Sequence, residues 1–192
     1  KIDHTYRVAA LCERIAKAAG MCAYDVELAW LSGMLHDVGR FEQIKRYNTF
    51  SDADSVDHAK FGADLLFKDG LISTFLNGMV KCTGYKPGAL EDRYSSDGVF
   101  LYDRLNKSDM EMLELAIRCH NMYRIPQGLN RREQAFCNVL RDADKVDIFK
   151  VNIDTPLEEI YNTTTEELMK SDITDEVLEA FGEEHCIPKA IR

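Results

Sequence analysis

At 192 residues the chain is long enough for one domain with a real core, and 45% hydrophobic and 30% charged content is ordinary for a soluble globular protein. A formal charge of −9 disfavours polyanions such as DNA or RNA, whose affinity rests on phosphate neutralisation, though a metal could supply local positive charge for a small phosphorylated molecule. No apolar run approaches a membrane span and no signal peptide is visible, so neither a membrane nor a nucleic acid polymer is an expected partner.

The pattern is helical nearly throughout. Val8, Leu11, Ile15 and Ala18 follow the helical period, and Gly20 stops that segment. Asp25 is placed to cap a second helix through Val26, Trp30, Gly33 and Asp37, closed near Gly39. A loop rich in Ser and Asp spans about Tyr47 to Ser55. A third helix starts near Asp57 and carries Phe61, Leu65 and Leu66, with Gly70 beyond it. Another runs from Leu71 towards Lys81. Residues 84–98, with glycine, proline and several charges, read as a loop. Ser108 and Glu111 predict a capping box for the helix ending near His120, and Asn130 with Glu133 another for the helix carrying Asp144. Thr155, Pro156 and Glu158 give a cap, a first-turn proline and a box glutamate. No stretch alternates as a strand does, and repeats are absent. The expectation is an all-α single domain over residues 1–192. No initiator Met precedes Lys1 and the first residues already read as helix, so we expect a chain trimmed at one or both ends.

Six cysteines, Cys12, Cys22, Cys82, Cys119, Cys137 and Cys186, form no Cys-x-x-Cys pair and lie mostly in apolar helical stretches. They read as buried thiols of a reducing cytoplasm. Trp30 and the phenylalanines read as core. The acidic cluster Asp52, Asp54 and Asp57 reads as a solvated loop with a helix cap, and His185 as a surface residue.

Six positions stand apart: His4, the pair His36-Asp37, His58, His120 and Asp144. His4 is one turn before Val8, on the stripe that continues to Leu11 and Ile15. His120 follows Ile117 by three and Leu113 by seven. Asp144 follows Leu140 by four and Phe136 by eight, so the three share a face. A carboxylate on an apolar face is costly to bury unless it is paired or bound to metal. One such histidine is more often a hydrogen-bonded core residue, and Asp144 alone could pair with Arg141 or Lys145. Imidazoles and carboxylates on several helices together read as a metal site. Sequence alone does not show that they converge.

The segment Leu31-Ser-Gly-Met-Leu-His-Asp-Val-Gly-Arg resembles the signature of the HD superfamily of metal-dependent phosphohydrolases. That family's order is a histidine on an early helix, a His-Asp doublet and a distant aspartate. His4, His36, Asp37 and Asp144 match it, the last within Arg-Asp-Ala-Asp-Lys-Val-Asp. The resemblance spans His4 to about Phe149, leaving 150–192 as a helical extension. It implies that these four residues hold one divalent metal. In members with two metals, histidines placed like His58 and His120 hold the second, with Asp37 bridging. The Gly-Tyr-Pro motif of the cyclic-di-GMP branch is absent; Gly84-Tyr85-Lys86-Pro87 is a superficial echo in the wrong place.

The implied activity is hydrolysis of a phosphomonoester or diester of a small molecule, a nucleotide by preference. Hydroxide on the metals would be the nucleophile and Asp37 the bridging catalytic ligand. Imidazole and carboxylate ligands suit one or two ions of Mn²⁺, Fe²⁺, Co²⁺ or Zn²⁺. Lys145, Arg40 and Arg141 are the cationic candidates for a substrate phosphate, with Tyr123 and Arg124 weaker ones. Two alternatives use the same ligands: a di-iron oxygenase of this fold, and a non-catalytic metal and nucleotide sensor. The oligomeric state is left open.

Overall fold

The computed structural model describes residues 2–81, 105–156, 158, 160, 164–170 and 172–184. The described residues are helices and connecting turns, with no strand among them. In chain order they are α1 (Ile2–Ala18), α2 (Ala23–Leu35), α3 (Val38–Tyr47), α4 (His58–Ala63) with a π-helical continuation (Asp64–Lys68), α5 (Leu71–Lys81), α6 (Lys107–Cys119), α7 (Arg131–Asp154), α8 (Thr165–Met169) and α9 (Asp175–Glu184). The all-α expectation therefore holds. Two compact units are distinguished, Lys1–Ile148 and Phe149–Arg192. Among the described residues no helix is long and apolar enough to cross a membrane.

The core of the first unit gathers around α2, which buries Val26, Leu28, Ala29, Leu31, Ser32, Gly33 and Leu35. Apolar residues all round make this a helix that other helices enclose. α1 contributes Val8, Cys12 and Ala16, α6 contributes Leu113, Ala116 and Ile117, and α7 contributes Phe136, Leu140 and Ala143. Small residues let α1 and α2 meet closely. A Cβ at Gly33 would lie 2.6 Å from the Ala9 Cα, so any larger residue would part the two helices.

Several local expectations shift. Asp25 does not cap α2, which starts at Ala23 after Cys22. Its carboxylate instead accepts from Arg132 Nη2 at 2.6 Å. The box on α6 sits two residues earlier than predicted: Asn106 Oδ1 accepts from the Asp109 N–H, and the Asp109 carboxylate accepts from the Asn106 N–H. Asp109 is fixed there by Tyr24 Oη, 2.6 Å away, and by Arg132 Nη1 at 2.8 Å. The box of Asn130 and Glu133 forms as expected. Among the phenylalanines, Phe136 is fully buried, whereas Phe41, Phe50, Phe149 and Phe181 are exposed. Trp30 is partly buried against the core. Residues 84–98, His185, Cys82 and Cys186 lie outside the described residues.

Candidate metal centre

All six polar positions singled out from the sequence meet at one place in the first unit, and each is at least nine-tenths buried. α1 brings His4. The junction of α2 and α3 brings His36 and Asp37, α4 begins with His58, α6 ends at His120, and α7 carries Asp144 midway along its length. Three ring pairs stack edge to face, His4 with His36, His36 with His120 and His58 with His120, at 5.0–5.3 Å between centroids. One ligand atom from each of His4, His36 and Asp144 lies within 4.8 Å of the other two. The same is true of His36, Asp37 and His120.

The rings are anchored from behind. Nδ1 of His36 meets the Gly33 carbonyl at 2.7 Å, and Nδ1 of His120 meets the Ile117 carbonyl at 2.7 Å. Nδ1 of His4 meets Asp147 Oδ2 at 2.6 Å, and Nδ1 of His58 meets Asp52 Oδ2 at 2.6 Å. Carbonyl and carboxylate oxygens only accept, so each Nδ1 carries the proton and each Nε2 presents a lone pair inward. Burial pushes His120 down to about 4. Burial and the nearby Arg40 push His58 down to about 4. Burial lowers His36 as well. These three rings are thus neutral donors at ordinary pH.

The inward atoms are all electron-rich. His4 Nε2 lies 3.3 Å from Asp144 Oδ1 and 3.7 Å from Asp37 Oδ2. His36 Nε2 lies 3.8 Å from Asp144 Oδ1 and 3.9 Å from Asp37 Oδ2, and is fully buried without a hydrogen-bond partner. His58 Nε2 lies 3.6 Å from Asp37 Oδ1 and 3.2 Å from His120 Nε2. Two lone pairs at that distance repel unless a cation lies between them. Two nitrogens held about 2.1 Å from one ion stand about 3 Å apart when adjacent. The donor set, its neutral rings and the orphaned His36 Nε2 therefore fit a divalent metal.

Burial alone would raise Asp144, but the Lys145 ammonium beside it helps to hold it well below the usual carboxylate range. Lys145 Nζ donates to Asp144 Oδ2 at 3.0 Å and is half exposed, on the rim of the site. Arg40 Nε lies 3.8 Å from Asp37 Oδ1, while its Nη1 donates to Gln43, to the Phe50 carbonyl and to Asp52. Arg141 Nη2 donates to the Tyr123 carbonyl at 3.3 Å. Tyr123 is exposed, and the Arg124 guanidinium lies over its ring.

Sequence reasoning missed two carboxylates. Asp147 is buried, holds His4, and is gripped by Arg7 through Nε at 2.6 Å and Nη2 at 2.9 Å. A signal existed: Asp147 is one turn beyond Asp144, on the buried side of α7. Asp52 is not a solvated loop residue, as expected from the sequence, but the anchor of His58. Asp57 does cap α4, accepting from the Ala59 and Lys60 N–H groups, and also accepts from Asn121 Nδ2 at 3.0 Å. Asn121 follows His120, so this bond draws the start of α4 to the end of α6.

No curated protein and no solved structure matches the chain. The model of the HD domain family matches residues 2–184. With that match covering nearly its whole length, the chain belongs to the HD domain family, in general a family of metal-dependent phosphohydrolases.

Proposed function

We propose that the protein hydrolyses a phosphoester of a small molecule, a nucleotide being the favoured class, using two divalent transition-metal ions. The observation that supports this is the division of Asp37: Oδ2 turns to His4 and His36, while Oδ1 turns to His58. In this reading His4, His36, Asp37 and Asp144 hold one ion, and Asp37, His58 and His120 hold the other. Mn²⁺, Fe²⁺, Co²⁺ and Zn²⁺ all suit such donors. When bound, the ions supply Lewis acidity, drawing charge from a phosphoryl oxygen and making water acidic enough to ionise near neutral pH.

The chain's own groups prepare that chemistry. The Nδ1 anchors fix each ring, so the donors need no rearrangement to meet an ion. Leu35, Ile117 and Leu140, which precede His36, His120 and Asp144 by one, three and four residues, are fully buried in the apolar core. Lys145 supplies a cation at the rim for a substrate phosphate, with Arg40 and Arg141 as the other candidates. A cytoplasmic setting agrees with the free thiols of Cys12, Cys22, Cys119 and Cys137.

The test is a screen of stripped and Mn²⁺-reloaded protein against nucleoside mono-, di- and triphosphates, cyclic nucleotides and a generic aryl phosphate. Ion-dependent release of phosphate or nucleotide, abolished in Asp37→Ala, is the expected result. Ion-loaded protein that cleaves none of them would overturn the proposal.

A further inference from the structure

The four rings are not anchored alike. His36 and His120 bond to carbonyls three residues back in their own helices, so helix geometry alone fixes them. His4 is held by a carboxylate from α7 that is itself buried and doubly bonded by Arg7. His58 alone among the four depends on a loop. Its anchor Asp52 is about one-third exposed, with a side-chain exposure of 32%.

The loop is stapled to α3 by two side chains three residues apart. Arg40 Nη1 donates to Asp52 Oδ1 at 2.7 Å and to the Phe50 carbonyl. Gln43 is fully buried, and its Nε2 lies within 2.8–3.0 Å of Asp52 Oδ1, Ser55 Oγ and the Val56 carbonyl. Asp52 thus has two distinct ends. Oδ1 receives N–H groups from Arg40 and Gln43, and Oδ2 receives the His58 Nδ1–H.

From this we infer that Asp52 is the positioning residue of the His58–His120 half-site, and that it acts by fixing the His58 tautomer. With a carboxylate behind it, His58 must carry its proton on Nδ1 and turn a lone pair toward the His120 lone pair. The half-site is then electrostatically incomplete and receptive to a cation. In the other tautomer, His58 Nε2–H would donate to His120 Nε2 across the same 3.2 Å. The two rings would satisfy each other and the half-site would close without an ion. The loop of residues 48–57, through Asp52, therefore sets whether the second ion is held. The inference rests on the two-ion reading above.

Asp52→Asn separates the possibilities. Arg40 and Gln43 require an acceptor, so the amide oxygen takes the Oδ1 place and the NH₂ faces His58. That forces the His58 proton onto Nε2. The experiment combines two readouts. Long-range ¹H–¹⁵N spectra of the ion-free protein report each histidine's tautomer, and calorimetric titration with Zn²⁺ reports each binding step. The expected result is an Nε2–H form for His58 only, a second-ion affinity lowered about 10–100-fold, and an unchanged first step. Unchanged second-ion affinity would overturn the inference. So would a weakened second step with His58 still protonated on Nδ1, since charge alone would then account for the loss. Asp52→Ala is the second variant: it frees the ring, and wild-type-like second-ion binding in it would also overturn the inference. Wild-type protein that saturates at one Zn²⁺ would overturn the two-ion reading itself, and the inference with it. That outcome is visible before any variant is made.

Discussion

Gly39 and Gly62 meet backbone to backbone: a Cβ on Gly39 would fall 2.2 Å from the His58 carbonyl oxygen and 2.7 Å from the Gly62 nitrogen. This contact holds α4 against α3, and so sets His58 beside Asp37. Neither neighbour is a flexible side chain, so no rotamer change relieves an added methyl. Gly39→Ala should cost about 1–3 kcal/mol in denaturant unfolding, the usual range for overpacking. It should also weaken the second ion more than the first, read by metal analysis after dialysis. A variant of wild-type stability with two ions would show that the helices part freely.

The ligands should be unequal. Asp37 faces both sets of histidines, so Asp37→Ala should remove both ions and all activity. His58→Ala should empty one half-site and leave the other, giving close to one ion per chain and some residual turnover. His185→Ala is the control and should leave metal content unchanged. Equal metal loss from Asp37→Ala and His58→Ala would contradict the division of roles.

Hydrolysis needs no oxidant. Product release under anaerobic conditions should proceed at an undiminished rate, checked by phosphate or nucleotide quantitation in a glove box. Turnover that stops without O₂, or a mixed-valent iron signal by electron paramagnetic resonance, would favour the oxygenase alternative.

Lys145 stands on the rim and donates to the Asp144 carboxylate, whereas Arg141 is engaged by the Tyr123 carbonyl. Lys145→Ala should keep its metal and lose about 1.5–3 kcal/mol of phosphate binding, on the order of ten- to a hundredfold in kcat/KM. Arg141→Ala should change kcat/KM less. Unchanged efficiency in Lys145→Ala, with metal retained, would end its claim on the substrate.

The buried thiols give a prediction remote from catalysis. Burial pushes Cys12 and Cys137 up to about 12. At pH 8 and under native conditions iodoacetamide should label exposed Cys22 and spare Cys12 and Cys137, as read by peptide mapping. The unfolded chain releases these protons near the ordinary 9.0, the folded one only near 12. The native state therefore holds more protons between those values, and stability should fall as pH rises through that window. Rapid labelling of Cys12 without unfolding would contradict its enclosure.

The helical architecture was legible because periodicity is local. The stripe of Val8, Leu11 and Ile15 predicts α1, and α1 indeed stops at Ala18, before Gly20. His4, His120 and Asp144 were legible because a charged or imidazole group on an apolar stripe is anomalous wherever it points, whereas the roles of His36, Asp37 and His58 came from the resemblance to the HD signature. Several of the failures involve residues whose partners are distant in sequence. Asp25 reads as a cap until Arg132, 107 positions later, claims it. Ser108 with Glu111 and Asn106 with Asp109 are equally good boxes by spacing. What decides between them is that Tyr24 and Arg132 hold Asp109 in place. Asp52 reads as one acid among three, because its role depends on Arg40, Gln43 and His58 surrounding it, and no local pattern encodes that enclosure.

Arg132 joins the beginnings of three helices, contacting Asp25 near the start of α2 and Asp109 near the start of α6 from its own place on α7. His36 lies eleven residues beyond Asp25, His120 eleven beyond Asp109, and Asp144 twelve beyond Arg132. At about 1.5 Å per residue each span is about 16–18 Å. The arrangement is that of three helical rods tied together at one end and bringing side chains to a common point a matched distance along each, α7 alone continuing well past that point to Asp154. Axial slippage of any rod would shift its ligand while leaving every residue around that ligand intact. The spacing of the candidate metal donors is therefore gauged from a guanidinium that makes its own bonds to Asp25 and Asp109.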